Sequence, residues 1–305
     1  MSTSVLFDAP GPRGRVRNHL LTAVSSILVL AALYGVYRGF DAKGQFEPKV
    51  WEWILLPDTW QYSIIPGLLG TLQAAAVSAL LAVAFGAIFG LARLSDHKWL
   101  RVPAGVVVEV FRAIPLLLLI FFIFYLAPQL MGGGDYAFFA VVLGLTLYNG
   151  SVLAEVVRAG VNAVPKGQSE ASYAVGMRKN QVMRLVLLPQ AITVMMPAIV
   201  SQLVVLLKDT ALGYIIAYVD LLNTGFKILP AGHRGSLIPA AIVIGIIYVA
   251  LNMSLSYLAT RLERRSRRSR KTAARPVAAP GSAAVGVGAK QGTEGGGLGP
   301  SKPLE

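Results

Sequence analysis

The sequence predicts an all-α, polytopic membrane helical bundle with six transmembrane helices. Of its 305 residues, 55% are hydrophobic and only 14% are charged, whereas a soluble domain carries about 25% charged residues. Several apolar runs also reach the roughly 20 residues that a helix needs to cross a bilayer. A transmembrane β-barrel would show short alternating segments instead. Composition and run length together therefore favour membrane helices.

The chain begins with a basic segment followed by an apolar one. Residues 1–19 contain three arginines, and we assign them to a cytoplasmic basic arm. Residues 20–63 comprise a first transmembrane helix and an external interfacial segment rich in Trp and Tyr, which is typical of a membrane interface. No small-x-small cleavage pattern follows the apolar run, so we predict an uncleaved helix and not a removed signal.

The remaining spans define a core at residues 64–260. Apolar runs occupy residues 64–94, 103–126, 136–157, 184–207 and 237–258. In the first of these, Gly86 and Gly90 have the spacing that lets membrane helices pack closely. The second contains Arg112 and Pro115, and a proline within a membrane helix predicts a kink.

The basic residues are concentrated beside the last span. The chain carries a net charge of +13, and residues 261–275 alone hold eight Lys or Arg and one acid. We expect this excess to contact anionic membrane lipid, with no nucleic acid as a partner. Residues 261–305 as a whole lack apolar periodicity and are predicted to form a disordered cytoplasmic tail.

Charge asymmetry also predicts the orientation of the bundle. If both termini are cytoplasmic, the inside segments carry 21 Lys or Arg and the outside segments carry 5. The positive-inside rule therefore places both termini in the cytoplasm. The chain has no cysteine, and its three histidines are scattered at positions 19, 97 and 233. We accordingly expect no metal site and no catalytic residue.

A short polar segment between the fourth and fifth spans has helix boundaries of its own. Pro165 suits a first helical turn, and Gly176 suits the left-handed residue that ends a helix. Ala171, Ala174 and Val175 share one face by their spacing. A helix this short is marginal alone, so we expect a docking partner on its far face. The alternative is a plain surface helix between two spans.

The residues of this segment resemble a known signature. Glu170-Ala171-Ser172, then Gly176, Val186 and Leu188-Pro189 are similar to the EAA motif of ABC importer permeases, with Ser172 and Val186 as mild departures from alanine and isoleucine. Further segments resemble the polar amino acid (histidine, glutamate, glutamine, arginine and opine) permease family: residues 111–116, 155–160, 164–168, 187–191 and 207–211. The amino-terminal residues 5–13 and the basic tail are similar to those of actinobacterial glutamate permeases.

The resemblance implies a type I ABC importer permease with the MetI-like fold, in the plasma (inner) membrane of a bacterium. In this family two permease subunits form the pore, and here a second, related permease is favoured over a second copy. A dimer of ATP-binding subunits uses ATP and Mg²⁺, and an extracytoplasmic binding protein delivers the amino acid. The chain itself is then no enzyme and holds no cofactor, and it lacks a phosphate-binding Gly-x4-Gly-Lys-Ser/Thr loop.

The resemblance also assigns roles to residues. Coupling to the ATPase would involve the signature positions: Glu170, Ala171, Ser172, Gly176, Leu188 and Pro189. Glu170 would pair with a basic residue of the ATPase. The transported substrate is expected to be glutamate, with glutamine, histidine or arginine as alternatives.

Polar groups within the spans are candidates for a substrate path, because a zwitterion needs polar groups that replace water. The candidates are Arg112, Asn149, Ser151, Gln202, Lys208, Asp209 and Asn252. Each also has a structural alternative: hydrogen bonds to a neighbouring helix for the uncharged groups, snorkelling for Arg112, and mutual pairing for Lys208 and Asp209. Glu155 and Arg158, one turn apart, are predicted to form a helix-surface ion pair or to support the coupling loop, in preference to a substrate site.

Other classes of protein explain less of the sequence. An ion-coupled secondary transporter would show paired inverted repeats, an intramembrane enzyme would show a catalytic constellation within its spans, and a channel or scaffold would have no use for a docking helix. We find neither such repeats nor such a constellation.

Overall fold

The computed structural model describes residues 11–233 and 235–271. Within these ranges the chain is helical and has no β-strand. The longer helices are α1 (Pro12–Asp41), α2 (Ile65–Ala92), α3 (Lys98–Ala113), α4 (Leu116–Met131), α5 (Ala137–Asn162), α6 (Lys166–Ala174), α7 (Leu188–Asp209) and α8 (Leu237–Lys271). Shorter helical turns are Pro48–Trp51, Glu52–Leu55, Pro57–Thr59, Trp60–Ile64, Lys179–Gln181, Val182–Leu187, Thr210–Ile216, Leu221–Asn223, Thr224–Ile228 and Leu229–Gly232.

The described residues contain the predicted set of membrane-spanning helices. Five helical stretches are long and apolar enough to cross a bilayer: Pro12–Asp41, Pro57–Ala92, Ala137–Asn162, Lys179–Ile216 and Leu237–Leu258. Helices α3 and α4 supply a sixth if they count as one broken span. The predicted all-α membrane bundle is therefore confirmed.

The third predicted span is broken, whereas the sequence predicted only a kink. Helices α3 and α4 meet at 100°. The residues between them, Ile114 and Pro115, both have extended backbone, with ψ of 126° and 131°. Pro115 has no N–H to donate, and a residue before proline is driven away from helical geometry. Two consecutive non-helical residues end one helix and start another in a new direction.

Helix α5 lies at the centre of the bundle. In the most apolar 18 residues of each span, 67% of the residues are buried for α5, 28% for the span that contains α2, and none for α1. Small residues on α2 let α5 approach. A Cβ added to Gly86 would lie 2.6 Å from the Cβ of Leu153, and one added to Gly90 would lie 2.7 Å from the Cβ of Val157. The close packing predicted from the glycine spacing is confirmed.

Helix α1 stands outside this bundle. It begins at Pro12, within the predicted basic arm, and none of its residues is buried. Its large apolar side chains are exposed over the whole length. In a membrane these side chains are solvated by lipid or by another protein.

The two ends of the bundle differ in chemistry. We call the end where α2 finishes, α3 begins and α6 lies the α6 end. The other end, which holds residues 42–64, 210–233 and 235–236, is the far end. At the far end Asp220 is fully buried, and its carboxylate accepts a hydrogen bond from the Asn223 N–H at 2.6 Å. Leu221 N–H donates to Thr71 Oγ1 at 2.9 Å. These contacts hold the short turns of the far end on α2.

Helix α8 is longer than the last predicted span. It continues from Leu237 to Lys271, so residues 261–271, predicted to be disordered, are helical. Arg, Lys, Leu and Glu dominate this stretch and have high helix propensity, so the hydrogen-bonded helix propagates past the end of the apolar run. The rest of the predicted disordered tail, 272–305, and residues 1–10 of the basic arm lie outside the described residues.

Candidate functional site

The polar segment between α5 and α7 forms the predicted helix, α6. Pro165 is the residue before its first turn and not part of it. The helix ends at Ala174, and Gly176, two residues later, has φ of +83°. Gly176 N–H donates to the Tyr173 carbonyl at 2.9 Å, and Met177 N–H donates to the Ser172 carbonyl at 3.1 Å. The predicted left-handed stop at Gly176 is confirmed, and this pair of hydrogen bonds is typical of such an ending.

Helix α6 exposes the small apolar residues that the sequence placed on one face. Ala171, Ala174 and Val175 are all exposed, Val175 to 78%, and Glu170 is exposed beside them. Ser172 points the other way: it is buried, and its hydroxyl donates to the Gln168 carbonyl at 2.6 Å. The exposed valine gives this short polar helix apolar surface that the rest of the described chain does not cover.

The inner side of α6 is fixed to the start of α7. Helix α6 packs against the turn Val182–Leu187, and the Gln190 side chain donates to Gln168 Oε1 at 3.2 Å. Val182 is fully buried at this junction. Leu188 and Pro189 form the first residues of α7. Helix α6 and the start of α7 are therefore joined by a hydrogen bond and by packed residues.

Replacing Gly176 with alanine is expected to loosen the end of α6. The cost is about 1 kcal/mol, because an L side chain disfavours φ of +83°. No atom lies within 4 Å of the added Cβ, so the effect is conformational and not steric. Hydrogen exchange of the amides of Met177 and its neighbours measures it. Gly167→Ala is the matched control within α6, also with open space around it, and equal loss of protection in both variants would contradict the explanation.

Five charged side chains form an ionic cluster at the α6 end: Arg93, Glu109, Arg112, Glu155 and Arg158. Glu155 is its centre. Its carboxylate lies 2.9 Å from Arg93 and 4.0 Å from Arg112, and it accepts hydrogen bonds from Arg158, the predicted ion pair. The cluster joins the end of α2 to α3 and α5. Arg112, a candidate for the substrate path, lies in this cluster with its side chain 37% exposed.

Neutralising the centre of this cluster is expected to weaken the bundle. Glu155→Gln leaves three arginines facing one remaining carboxylate, and we expect the free energy of unfolding to fall by about 1–2 kcal/mol at low salt and by less at high salt. Unfolding of the purified chain in detergent at two ionic strengths measures this. The control is Glu109→Gln, because the Glu109 side chain is 61% exposed. A loss in the control equal to that in Glu155→Gln would contradict the central role of Glu155.

The uncharged path candidates are hydrogen-bonded to helices. Gln202 on α7 donates to Asn149 Oδ1 on α5 at 2.7 Å, so the structure brings these two together. Asn149 also donates to the Leu145 carbonyl at 3.1 Å, and Ser151 donates to the Leu147 carbonyl at 2.7 Å. Asn252 donates to the Tyr248 carbonyl at 2.8 Å. Only the Gln202–Asn149 bond joins two helices, as the structural alternative predicted. The other three bonds go to carbonyls of the residue's own helix.

Two charged candidates lie at the end of α7 toward the far end. Lys208 is exposed and Asp209 is partly buried. Neither forms an ion pair with another described residue, and they do not pair with each other. Mutual pairing of Lys208 and Asp209, the structural alternative to a role in the substrate path, is thus not seen in the described part of the chain.

Sequence reasoning missed an ion pair beside α6. Lys179, just after α6, pairs with Asp96 in the α2–α3 connection. The hydrogen bond from Lys179 holds the pKa of Asp96 below its usual range. The two residues are 83 positions apart, so no local pattern could reveal the contact. No group of His, Cys, Asp or Glu in the described residues could hold a metal ion.

The bundle of membrane-spanning helices and the exposed helix α6 agree with the family that comparison with known proteins identifies. The chain belongs to the family of binding-protein-dependent transport system inner membrane components, whose family model matches residues 82–268. Its fold is that of the type I ABC importer permeases.

Curated relatives cover most of the chain. The glutamate transport system permease protein GluD of Corynebacterium glutamicum is 43% identical over 232 residues, which are 75% of this chain and 84% of the relative. The probable glutamine ABC transporter permease protein GlnP of Bacillus subtilis is 37% identical over 198 residues, 65% of this chain and 90% of the relative.

Solved structures agree with the fold. A crystal structure of an amino acid ABC transporter with histidines has a TM-score of 0.60 and 32% identity, and it covers 66% of this chain and 93% of that chain. A MetNI methionine ABC transporter, in an inward-facing conformation, also has a TM-score of 0.60, with 21% identity and coverage of 69% and 99%. The second likeness supports the fold alone.

Proposed function

We propose that this chain is the pore-forming subunit of an ATP-driven importer that moves a polar amino acid, glutamate, across the bacterial plasma membrane. The observation that carries the ATP-driven step is α6, which exposes Ala171, Ala174, Val175 and Glu170 while its inner side is fixed to α7. Glutamate is supported by the relative GluD, a glutamate permease by name, at 43% identity.

The proposed assembly contains three further components. A dimer of ATP-binding subunits docks on α6 and uses ATP and Mg²⁺, a second and related permease subunit completes the pore, and an extracytoplasmic binding protein delivers the amino acid. Both termini and α6 lie in the cytoplasm in this proposal, which is supported by the 21 Lys or Arg on that side against 5 on the other. The chain itself performs no catalysis.

In the proposed mechanism α6 acts as a lever. Glu170 pairs with a basic residue of the ATPase, and the exposed face Ala171, Ala174 and Val175 seats in a groove of it. Gly176 lets the chain turn back toward α7. When the ATPase pair closes on ATP, α6 moves, and Leu188-Pro189 carries the displacement into α7. Hydrolysis releases the closed state and resets the bundle.

The path for the amino acid is proposed between the far end and the middle of the bundle. Lys208 and Asp209, without ion-pair partners in the described part of the chain, are the charged groups proposed to receive the amino acid. Asn149 and Gln202 form the polar pair between α5 and α7 that lies deeper. Ser151 and Asn252 are the other uncharged groups proposed to line the path. Arg112 belongs to the ionic cluster and is proposed to hold the α6 end of the path together.

The substrate is tested by the ATPase activity of the reconstituted complex. Binding protein loaded in turn with glutamate, glutamine, histidine, aspartate or arginine is added to the complex in lipid nanodiscs. We expect glutamate-loaded protein to give the largest stimulation. Larger stimulation by another amino acid would change the assigned substrate but leave the assignment as an importer intact. The absence of stimulation by all five would contradict the assignment as a polar amino acid importer.

A further inference from the structure

A cavity opens at the α6 end of the bundle. Its volume is about 510 Å³, and it lies between the α2–α3 connection and the turns that precede α7. Its polar lining includes Asp96, His97, Lys179 and Arg184, and its apolar lining includes Ile88 and Leu91. Asp96 and Lys179 are paired with each other. Arg184 is exposed and has no ion-pair partner in the described part of the chain, so it gives the cavity an uncompensated positive charge.

An apolar groove continues from this cavity along the bundle. The groove has a volume of about 330 Å³ and is lined only by apolar residues of α2, α5 and α7. Leu91 and Leu188 line both the cavity and the groove, so the two spaces adjoin. Ala87, Ile192 and Ile199 extend the groove away from the α6 end. A charged cavity joined to an apolar groove matches a molecule with an anionic head and a hydrocarbon tail.

The position of the cavity agrees with the depth of a lipid headgroup. Trp99, next to the cavity residue His97, is 74% exposed, and the two rings stack with centroids 6.0 Å apart. Exposed tryptophan is enriched at the level of the headgroups. Basic pockets between membrane helices bind anionic headgroups, and a cation at this level contributes about 1 kcal/mol.

We infer that the cavity and groove bind one anionic phospholipid, with its phosphate at Arg184 and an acyl chain in the groove. The lipid would bridge the end of α2 and the start of α7, next to the segment that carries α6. The inference does not rest on the proposed function, because binding is measured without transport. It differs from the general attraction of the basic tail to the membrane, since the cavity is a site of fixed geometry.

Trp99 makes the binding measurable. The other three tryptophans, at positions 51, 53 and 60, belong to the far end. The full chain, alone and in complex with its partner subunits, is placed in nanodiscs with increasing amounts of phosphatidylglycerol or phosphatidylcholine that carries brominated acyl chains. The quenching that disappears in Trp99→Phe reports lipid at the cavity. We expect saturable quenching with about a fivefold preference for phosphatidylglycerol, which corresponds to about 1 kcal/mol.

Variants at Arg184 distinguish a site from bulk lipid. Arg184→Gln is expected to remove the preference for phosphatidylglycerol, so that both lipids quench equally. Arg184→Lys is expected to keep the preference. Arg17→Gln on α1 removes the same charge from the α6 end away from the cavity and is expected to leave the preference unchanged. Equal quenching by both lipids in the natural chain, or an unchanged preference in Arg184→Gln, would overturn the inference. Loss of quenching when the partner subunits are present would show that a protein fills the cavity, and this result would also overturn the inference.

Discussion

Reversing the charge at Glu170 is expected to abolish uptake while the chain still inserts into the membrane. Glu170 is exposed on α6 and forms no ion pair within the described residues, so its replacement by lysine disturbs no contact of the bundle. At the proposed interface the same change places two positive charges together. Removing one partner of a buried interfacial charge pair costs about 2–5 kcal/mol, which is a fall in affinity of at least about 30-fold.

The measurement is amino acid uptake together with co-purification of the ATP-binding subunit. Glu52→Lys is the matched control, because Glu52 is an exposed carboxylate at the far end. The control is expected to keep both uptake and co-purification. Normal uptake by Glu170→Lys would show that Glu170 is not part of the coupling interface. Equal loss of uptake in both variants would indicate a general effect of charge reversal.

Adding a single methyl group to Gly86 is expected to destabilise the whole bundle. The new Cβ would lie 2.6 Å from the Cβ of Leu153 and 3.1 Å from its backbone carbonyl carbon. Because α5 is the central helix, it cannot move away without disturbing its contacts with α4 and α7. Overpacking of this kind costs about 1–3 kcal/mol.

Gly105→Ala on α3 provides the control for Gly86→Ala. No atom lies within 4 Å of its added Cβ, and alanine has the higher helix propensity by about 1 kcal/mol. Unfolding of the purified variants in detergent is expected to show opposite signs for the two substitutions. A Gly86→Ala chain as stable as the natural one would contradict the close packing of α2 on α5.

The features that follow from local periodicity were predictable from the sequence. Apolar runs of about 20 residues identify the spans because the bilayer sets their length. The end of α6 at Gly176 was also predictable, because a polar segment that ends in glycine favours the left-handed residue found there, with φ of +83°. Both depend on residues close together in the chain.

The geometry at the prolines was less predictable. The π-helical turns in the described residues each end two residues before a proline, namely Pro66, Pro189 and Pro230. A proline offers no N–H to the carbonyl four residues earlier, which favours a wider turn before it. Pro197 nevertheless lies within α7, so the residue type alone does not decide the outcome. For the same reason the sequence predicted a kink at Pro115, whereas the structure shows a break between α3 and α4.

The glycine spacing predicted that α2 packs closely on another helix, but the partners of contacts between distant segments were not predictable. The ionic cluster pairs Arg93 with Glu109 and Glu155 across three helices, and the Asp96–Lys179 pair joins two connections. The sequence marked Arg112 and Asn149 as path candidates because polar groups within a membrane are costly. The structure shows which partners offset this cost: carboxylates for Arg112 and Gln202 for Asn149. Spacing in the sequence does not identify these partners.

The central claim is that another protein's ATP cycle drives this bundle through α6. The most direct test is uptake of labelled glutamate into proteoliposomes that contain the permease subunits, with and without the ATP-binding subunit, in the presence of binding protein. We predict uptake only when the ATP-binding subunit and hydrolysable ATP are both present. Uptake by the permease subunits alone along an imposed ion gradient would contradict the claim and identify a secondary transporter.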